Sequence, residues 1–154
     1  MPEVASSNVL FDLWLLSRTA NRVIGEATRA GRLSADDFGV YSLLAAGPLT
    51  PTELAYWVDA PATTVSSYVA RFERRGHVQR MPSAADARSY RVALTPAGRA
   101  AHERAGVAFL ELLDSVEKAV EKAVGPDRAA VREALHTLRR ALGGVGPPAA
   151  GPDG

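Results

Sequence analysis

The sequence predicts a mainly α-helical fold with one small β-hairpin, and three observations lead to this prediction. Apolar residues recur at steps of three and four along most of the chain, as they do on one face of a helix. Gly and Pro separate these periodic segments. Residues 78–94 alone contain two short segments of the kind that pair as strands. The 154 residues are enough for one domain with an attached oligomerisation element.

Three helices are predicted in the first part of the chain. The first covers about residues 7–30, and Gly31 is expected to end it. A second begins at the N-cap Ser34 and has acidic residues in its first turn, where they complement the helix dipole. A third, short helix opens with residues 50–53, which have the S/T-x-x-E form of a capping box with Pro at the first helical position.

A fourth helix, from about residue 62 to Gly76, is predicted to have one apolar and one polar face. At about 100° per residue, Val65, Val69 and Phe72 fall on one side. The other side carries small or basic residues: Thr63, Ser66, Ser67, Ala70, Arg71 and Arg74. Short polar side chains allow a helix to approach the base edges of duplex DNA, and arginines can hold the flanking phosphates. An ordinary surface helix with few Lys and Glu residues is the alternative.

Positive charge is concentrated on this helix and after it. Residues 61–99 contain seven arginines against Glu73 and Asp86, a local charge of +5, although the whole chain carries only +1. Phosphate contacts release counterions where the cations lie, so a local cluster favours nucleic-acid binding more than a total charge does. A chance cluster, in a chain whose basic residues are mostly Arg, is the alternative.

A hairpin is predicted after Gly76, which should end the fourth helix with a positive φ. Its strands are residues 78–81 and 90–94, and the residues between them form a polar tip. Arg88 lies near the end of that tip, where it could enter a groove of duplex DNA. Asp86 is close enough in sequence to orient Arg88 or the turn backbone, and it could also be a plain turn residue.

Two further helices are predicted after the hairpin. Thr95 is an N-cap with Pro at the next position, and its helix should run to about Val124. A last helix covers residues 127–142. With the first helix, they carry more apolar surface than a small domain needs to cover, so we expect burial against a second copy of the chain; a larger monomeric core is the alternative. Residues 143–154 are rich in Gly and Pro and are predicted to be disordered.

Composition and motifs exclude several classes of protein. The chain contains no Cys, so disulfides and Cys-ligated zinc are excluded. It has no metalloprotease, phosphate-loop or nucleophile-elbow motif, so we expect neither an enzyme nor a cofactor. His102 and Glu103 could join His136 around a metal, but three such ligands make a poor site and none is predicted. The apolar run 9–16 is too short to span a bilayer and lacks signal-peptide flanks, which favours a cytoplasmic protein without membrane contact.

Three helices followed by a hairpin form a winged helix-turn-helix, and the motifs in this chain resemble those of the MarR family of bacterial transcription regulators. The matching segments are Thr64-Val65-Ser66, the run RFERRG over residues 71–76, Asp86-Ala87-Arg88 in the wing, and LTPAG over residues 94–98, which is similar to the family's LTxxG signature. The resemblance extends from the first helix to about Leu142. It departs at Pro61, where the family more often has a polar cap, and at Ala87, where a polar or basic residue is common.

This resemblance implies a homodimer that binds double-stranded DNA at a pseudo-palindromic operator, as a repressor relieved by a small phenolic or anionic effector. The expected divisions are a dimerisation helix (1–33), the winged DNA-binding domain (34–98), dimerisation helices (99–142) and a tail (143–154). The expected DNA-binding residues are Thr63, Thr64, Ser66, Ser67, Ala70, Arg71, Arg74, Arg80, Asp86 and Arg88. The expected dimerisation residues are Leu10, Leu13, Phe109, Leu112, Val116, Leu135, Leu138 and Leu142. A winged-helix module that binds protein instead of DNA, and a metal-responsive regulator, are the alternatives.

Overall fold

The computed structural model describes residues 8–82, 90–125 and 127–143. Within these ranges, six α-helices and one two-stranded antiparallel sheet follow one another, with a short 3-10 turn at Thr28–Gly31. The bounds are α1 Val9–Ala27, α2 Ala35–Ala46, α3 Pro51–Val58, α4 Ala62–Arg74, β1 Val78–Pro82, β2 Tyr90–Leu94, α5 Pro96–Val124 and α6 Arg128–Gly143. The predicted fold class, mainly α with a small β-hairpin, is confirmed.

Two compact units divide the chain at Met1–Leu112 and Leu113–Gly154, so α5 contributes to both. The predicted domain boundaries at residues 33, 98 and 142 stay a prediction. Within the described ranges, no helix combines the length and the apolar character that crossing a bilayer requires.

The core of the first unit lies between α2, α3, α4 and the sheet. Its most deeply buried large side chains come from each of these elements: Tyr41, Leu44, Leu54, Val65, Val69, Phe72 and Val92. The ring of Tyr41 meets the ring of Phe72 edge-on, with centroids 4.8 Å apart. The apolar face predicted for the fourth helix is therefore confirmed, and its burial fixes which face of α4 points outward.

Local capping rules explain where the helices of this unit begin. The Ser34 hydroxyl accepts a hydrogen bond from the Asp37 amide at 3.1 Å. At α3 the predicted capping box is present, because the Glu53 amide donates to the Thr50 hydroxyl while the Glu53 carboxylate accepts from the Thr50 amide at 2.7 Å. Thr95 caps α5 by accepting from the Gly98 amide at 3.1 Å.

The end of α1 differs from the prediction that Gly31 stops the helix. The left-handed residue is Arg32, with φ 57°, and Gly31 lies inside the 3-10 turn. Gly31 is needed for close packing instead. A Cβ at this position would overlap the carbonyl oxygen of Ala101 and stand 2.7 Å from the Cβ of Ala105.

The hairpin pairs Val78 with Leu94 and Pro82 with Tyr90, so its two strands cover the predicted segments 78–81 and 90–94. Gly76 takes the predicted positive φ, 69°, and so ends α4. The sheet also receives one pair that was not predicted. Leu49 exchanges two backbone hydrogen bonds with Val92, at 2.7 and 3.1 Å, which ties the segment before α3 to β2.

The second unit contains the C-terminal half of α5 and the whole of α6. The Arg128 guanidinium forms ion pairs with Glu117, at 3.1 Å, and with Glu121. The Asp127 carboxylate caps α6 by accepting from the Ala130 amide at 3.1 Å. No residue in the described range of α6 is buried, although one face of this helix is apolar.

Candidate nucleic-acid interface

The outward face of α4 is formed by small polar side chains and one arginine. Thr63, Ser66, Ser67 and Arg74 are exposed, and Ala70 is half-buried beside them. Ser67 donates its hydroxyl proton to the Thr63 carbonyl at 3.0 Å, which leaves the hydroxyl oxygen facing outward as an acceptor. The exposed side chains of this face are short as far as Arg74, so it suits close approach to another surface.

One flank of this face is held by a buried carboxylate. Asp37, at the start of α2, has a side chain only 4% exposed, and its two oxygens bind two arginines of the α4 region. Oδ1 pairs with Arg71, and Oδ2 accepts from Arg75 Nη1 at 2.8 Å. We expected Arg71 to be free to neutralise a DNA backbone. The structure instead folds its guanidinium against Asp37, because a buried carboxylate requires a cationic partner.

The other flank is held by an ion pair with the wing. Glu73 accepts two hydrogen bonds from Arg80 of β1, at 2.8 and 3.1 Å. The Arg80 guanidinium also lies over the ring of Tyr90 in β2, 4.5 Å from its centroid. Arg80, expected to contact the DNA backbone, is thus already engaged by both α4 and the hairpin.

Arg74 lies between these two flanks and forms no ion pair with any residue in the described ranges. Further round the domain, Arg91 donates to the Pro48 carbonyl at 3.2 Å and lies 3.7 Å from the Glu53 carboxylate. The predicted wing-tip residues Asp86 and Arg88 lie outside the described residues. Thr64 is half-buried at the start of α4.

Two histidines of the first unit serve internal packing. His77 Nδ1 lies 3.0 Å from the Tyr41 hydroxyl, and burial, with the charges of Arg75 and Arg104, lowers the pKa of His77. His102 Nε2 lies 2.9 Å from the Ser42 hydroxyl, and burial lowers the pKa of His102. Across residues 8–82, 90–125 and 127–143, no group of three or more His, Cys, Asp or Glu side chains is placed to hold a metal ion.

Apolar side chains are exposed on α1 and on the N-terminal half of α5 in the first unit. Leu10 is 62% exposed and Trp14 52%, and Leu110 is exposed on α5. Of the expected dimerisation residues in this unit, Leu13 and Leu112 are half-buried. Phe109 packs against Phe38 of its own core, with centroids 4.7 Å apart, so it is only partly available to a second copy.

The second unit has an exposed apolar surface of its own. On α5, Leu113 and Val116 are exposed, and on α6 Leu135 and Leu142 are each about half exposed. Leu138 is half-buried. These residues recur at the spacing of one helical face, so each helix presents a continuous apolar stripe.

The roles of Asp37 and Glu73 were missed at the level of sequence. An acidic residue in the first turn of a helix is already explained by the helix dipole, so the position of Asp37 in the sequence does not indicate a second role. Glu73 looks like a single acid within a basic segment. Each finds its partners through tertiary packing, over 34 and 38 residues for Asp37 and over 7 for Glu73.

Comparison with known proteins agrees with this geometry. Residues 46–98 match a family described as a winged helix DNA-binding domain. The transcriptional regulator MOSR of M. tuberculosis, solved in complex with DNA, is 27% identical and superposes with a TM-score of 0.71 over 90% of this chain and 98% of its own. The transcriptional repressor CouR, bound to a 23-mer DNA duplex, is 25% identical, with a TM-score of 0.70 over 86% of this chain and 92% of its own.

A third structure, the S. aureus MepR–DNA complex, shares the fold at 18% identity, with a TM-score of 0.71 over 89% of this chain and 99% of its own. No curated protein sequence matches the chain. The likeness to these three solved structures extends over 86–90% of the chain.

Proposed function

We propose that the chain is a MarR-family winged-helix DNA-binding transcription regulator, as its motifs and its likeness to solved regulators support, and that it binds a pseudo-palindromic operator as a homodimer. It acts as a repressor that a small molecule releases from DNA. The single observation that carries the proposal is the outward face of α4. A stripe of small polar side chains ends in Arg74, and ion pairs hold both flanks.

In this proposal α4 enters the major groove and the wing reaches the neighbouring minor groove. The residues assigned to base edges and nearby phosphates are Thr63, Thr64, Ser66, Ser67 and Ala70. Arg74 contacts a phosphate directly, since its guanidinium has no ion-pair partner in the described part of the chain. Arg88 enters the minor groove from the wing tip, and Asp86 orients it. Arg71 and Arg80 act chiefly by positioning α4 and the wing.

The homodimer is supported by the apolar surfaces of α1, α5 and α6. A single chain leaves α1 and α6 without any buried residue in their described ranges, although both helices have an apolar face. Surface of this kind is buried in symmetric dimers, where the same patch from two copies meets. We assign the dimer contacts to Leu10, Leu13, Leu112, Val116, Leu135, Leu138 and Leu142, with a smaller part for Phe109.

The effector is a small phenolic or anionic molecule, as the family resemblance implies. The apolar core formed by α2, α3, α4 and β2 is closely packed around Leu54 and Phe72, with no room for a ligand. The effector site therefore lies outside this core. A protein of this kind acts in the cytoplasm, where its DNA is.

The test is binding to DNA from the chain's own genome. The full chain is mixed with sheared genomic fragments, including its own upstream region, and the retained fragments are sequenced and confirmed by gel shift. We expect a recurrent inverted repeat, with half-sites about one helical turn apart. If no fragment is retained even at low salt, the winged-helix module binds protein instead. If a chelator abolishes the shift, the regulator depends on metal.

A further inference from the structure

The carboxylate of Asp37 is the most deeply buried charged group in the described part of the chain, and it binds two arginines that flank the DNA-facing stripe. Arg71 belongs to α4, and Arg75 is the residue that caps its C-terminus. Asp37 lies in the first turn of α2, so this cluster joins α2 to α4, the recognition helix of the proposed DNA complex. Each carboxylate oxygen of Asp37 binds one guanidinium. Neither arginine side chain is therefore as free to move as a surface arginine that has no ion pair.

Helical geometry shows which positive charges Asp37 keeps from the DNA-facing surface. At about 100° per residue, Arg74 lies opposite the buried Val65, and Arg71 lies about 60° round the helix from Arg74. A long arginine at that angle can reach a phosphate beside the groove. Both Arg71 and Arg75 are instead turned back towards α2.

Further contacts keep these two guanidiniums against the protein. The Arg71 guanidinium lies 5.0 Å from the ring centroid of Tyr68 and 5.2 Å from that of Phe72. The Nε atom of Arg71 is buried and has no hydrogen-bond partner among the described residues. Arg75 donates from Nη1 to Asp37 Oδ2 at 2.8 Å, and its interactions with Asp37 and with the Tyr41 hydroxyl raise the pKa of its guanidinium.

We propose that Asp37 determines the DNA specificity of this protein without touching DNA, by withholding Arg71 and Arg75 from the phosphate backbone. This inference rests on the proposed DNA binding. Phosphate contacts supply most of the non-specific affinity, and the useful quantity for a regulator is the ratio of specific to non-specific binding. Because two arginines are kept from the phosphates, the affinity for every DNA sequence is lower. Because the recognition helix is fixed to α2, the contacts that distinguish the operator are preserved.

Asp36 supplies a matched control, because it precedes Asp37 in the first turn of α2 and is exposed. Asp37→Asn and Asp36→Asn change the net charge equally. We expect Asp37→Asn to steepen the salt dependence of binding to a scrambled duplex by about 1–2 units of log K against log salt, since each released arginine adds about 0.9. At 0.1 M salt this raises the non-specific affinity by about tenfold per arginine. The operator-to-scrambled ratio falls, and Asp36→Asn leaves the ratio and the slope close to wild type.

An arginine series tests the same inference with the Asp37 carboxylate retained, because Arg71→Gln and Arg75→Gln each leave it one of its two guanidiniums. In the otherwise unchanged chain, Arg74→Gln lowers the non-specific salt slope by about one unit, whereas Arg71→Gln and Arg75→Gln leave it nearly unchanged. When Asp37→Asn is also present, Arg71→Gln removes part of the added slope. Thermal melts accompany each variant, so that a loss of folding is distinguished from a change in binding.

Three outcomes overturn the inference. Equal slopes and equal operator-to-scrambled ratios for Asp37→Asn and Asp36→Asn do so while leaving the proposed DNA binding intact. A loss of slope in Arg71→Gln or Arg75→Gln as large as in Arg74→Gln does so as well. A wild-type chain that binds no duplex at low salt contradicts the proposed function, and the role of Asp37 falls with it.

Discussion

Glu73 of α4 accepts two hydrogen bonds from Arg80 of the wing strand β1, at 2.8 and 3.1 Å. Arg80 in turn lies over the ring of Tyr90 in β2, so one guanidinium joins the recognition helix to both strands. Glu73 and Arg75 are the neighbours of Arg74 in sequence, and they point to opposite sides of it at about 100° each. The recognition helix is therefore held by the wing on one side and by α2 on the other.

Loosening the wing should reduce discrimination more than it reduces overall affinity. We expect Glu73→Ala to lower the operator-to-scrambled ratio, because Arg80 no longer fixes the base of the hairpin. Non-specific affinity should stay level or rise, since a negative charge leaves the interface. Stability should change by less than about 1 kcal/mol, as for other exposed ion pairs. Fluorescence anisotropy on both duplexes measures the ratio, with exposed Glu103→Ala as the control. Equal ratios for the two variants would show that the pair has no role in positioning.

Variants of Arg74 and Ser67 should distinguish phosphate binding from sequence recognition. Arg74→Ala is expected to weaken binding to every duplex and to lower the salt slope by about one unit, because it removes a phosphate contact. Ser67→Ala is expected to affect the preference for operator over scrambled DNA more than the non-specific affinity. Salt titrations on both duplexes measure these effects. If both variants lose specific and non-specific affinity in equal proportion, the assignment of the α4 face is wrong.

Gly98 has a packing role that explains its place in the LTxxG segment. A Cβ added there would overlap the carbonyl oxygen of His77. We expect Gly98→Ala to destabilise the fold by about 1–3 kcal/mol or more, since backbone has to move. Gly106 of the same helix has open space around it, and Gly106→Ala should instead stabilise by about 0.5–1 kcal/mol. Urea unfolding measures both changes, and a Gly98→Ala protein as stable as wild type would refute the packing argument.

The apolar stripe of α6 provides a test of the dimer. Leu135→Glu with Leu142→Glu places two charges on exposed apolar surface that a second copy is expected to cover. Sedimentation should show the variant as a monomer at concentrations where the wild type is a dimer, and operator binding should fall in step. Ala130→Glu with Thr137→Glu adds the same charge to another side of α6 and should remain a dimer. A wild-type chain that is monomeric at micromolar concentration would contradict the proposal.

The half-buried histidine His102 should make stability depend on pH. Burial lowers its pKa from the ordinary value of 6.5, so the folded state favours the neutral ring. Below pH 6.5 the unfolded chain therefore binds more protons than the folded chain, and the stability present at higher pH is lost as the pH falls. His77 contributes in the same direction. Unfolding midpoints at pH 7.5 and 5 should differ less in His102→Gln than in wild type. An unchanged difference in His102→Gln would contradict this.

Local rules made much of the fold predictable. The capping box at Thr50 depends on neighbouring residues, and so does the positive φ of Gly76, so both could be predicted from the sequence. The single bridging residue Leu49 could not, because one residue has no periodicity. The role predicted for Gly31, to end the first helix, was wrong. Its lack of a side chain matters because Ala101 and Ala105 approach it closely, which only the tertiary structure shows.

The sequence predicted which face of α4 forms the candidate interface and which types of residue lie on it. It did not predict which of the arginines are already bound by acidic residues. The outward position of Ser67 and Arg74 follows from helical spacing alone. The engagement of Arg71 does not, because its partner Asp37 lies 34 residues earlier and is brought close by the packing of α2 on α4. A count of arginines therefore overstates the positive charge that this surface offers to DNA.

The measurement that tests the account most directly is a titration of the full chain against labelled operator and scrambled duplexes, with the stoichiometry determined by sedimentation. We predict two chains per operator duplex, with an affinity at least about 10³-fold above that for the scrambled duplex at physiological salt. One chain per duplex, or equal affinity for the two sequences, would contradict the account of a dimer that reads its operator through α4.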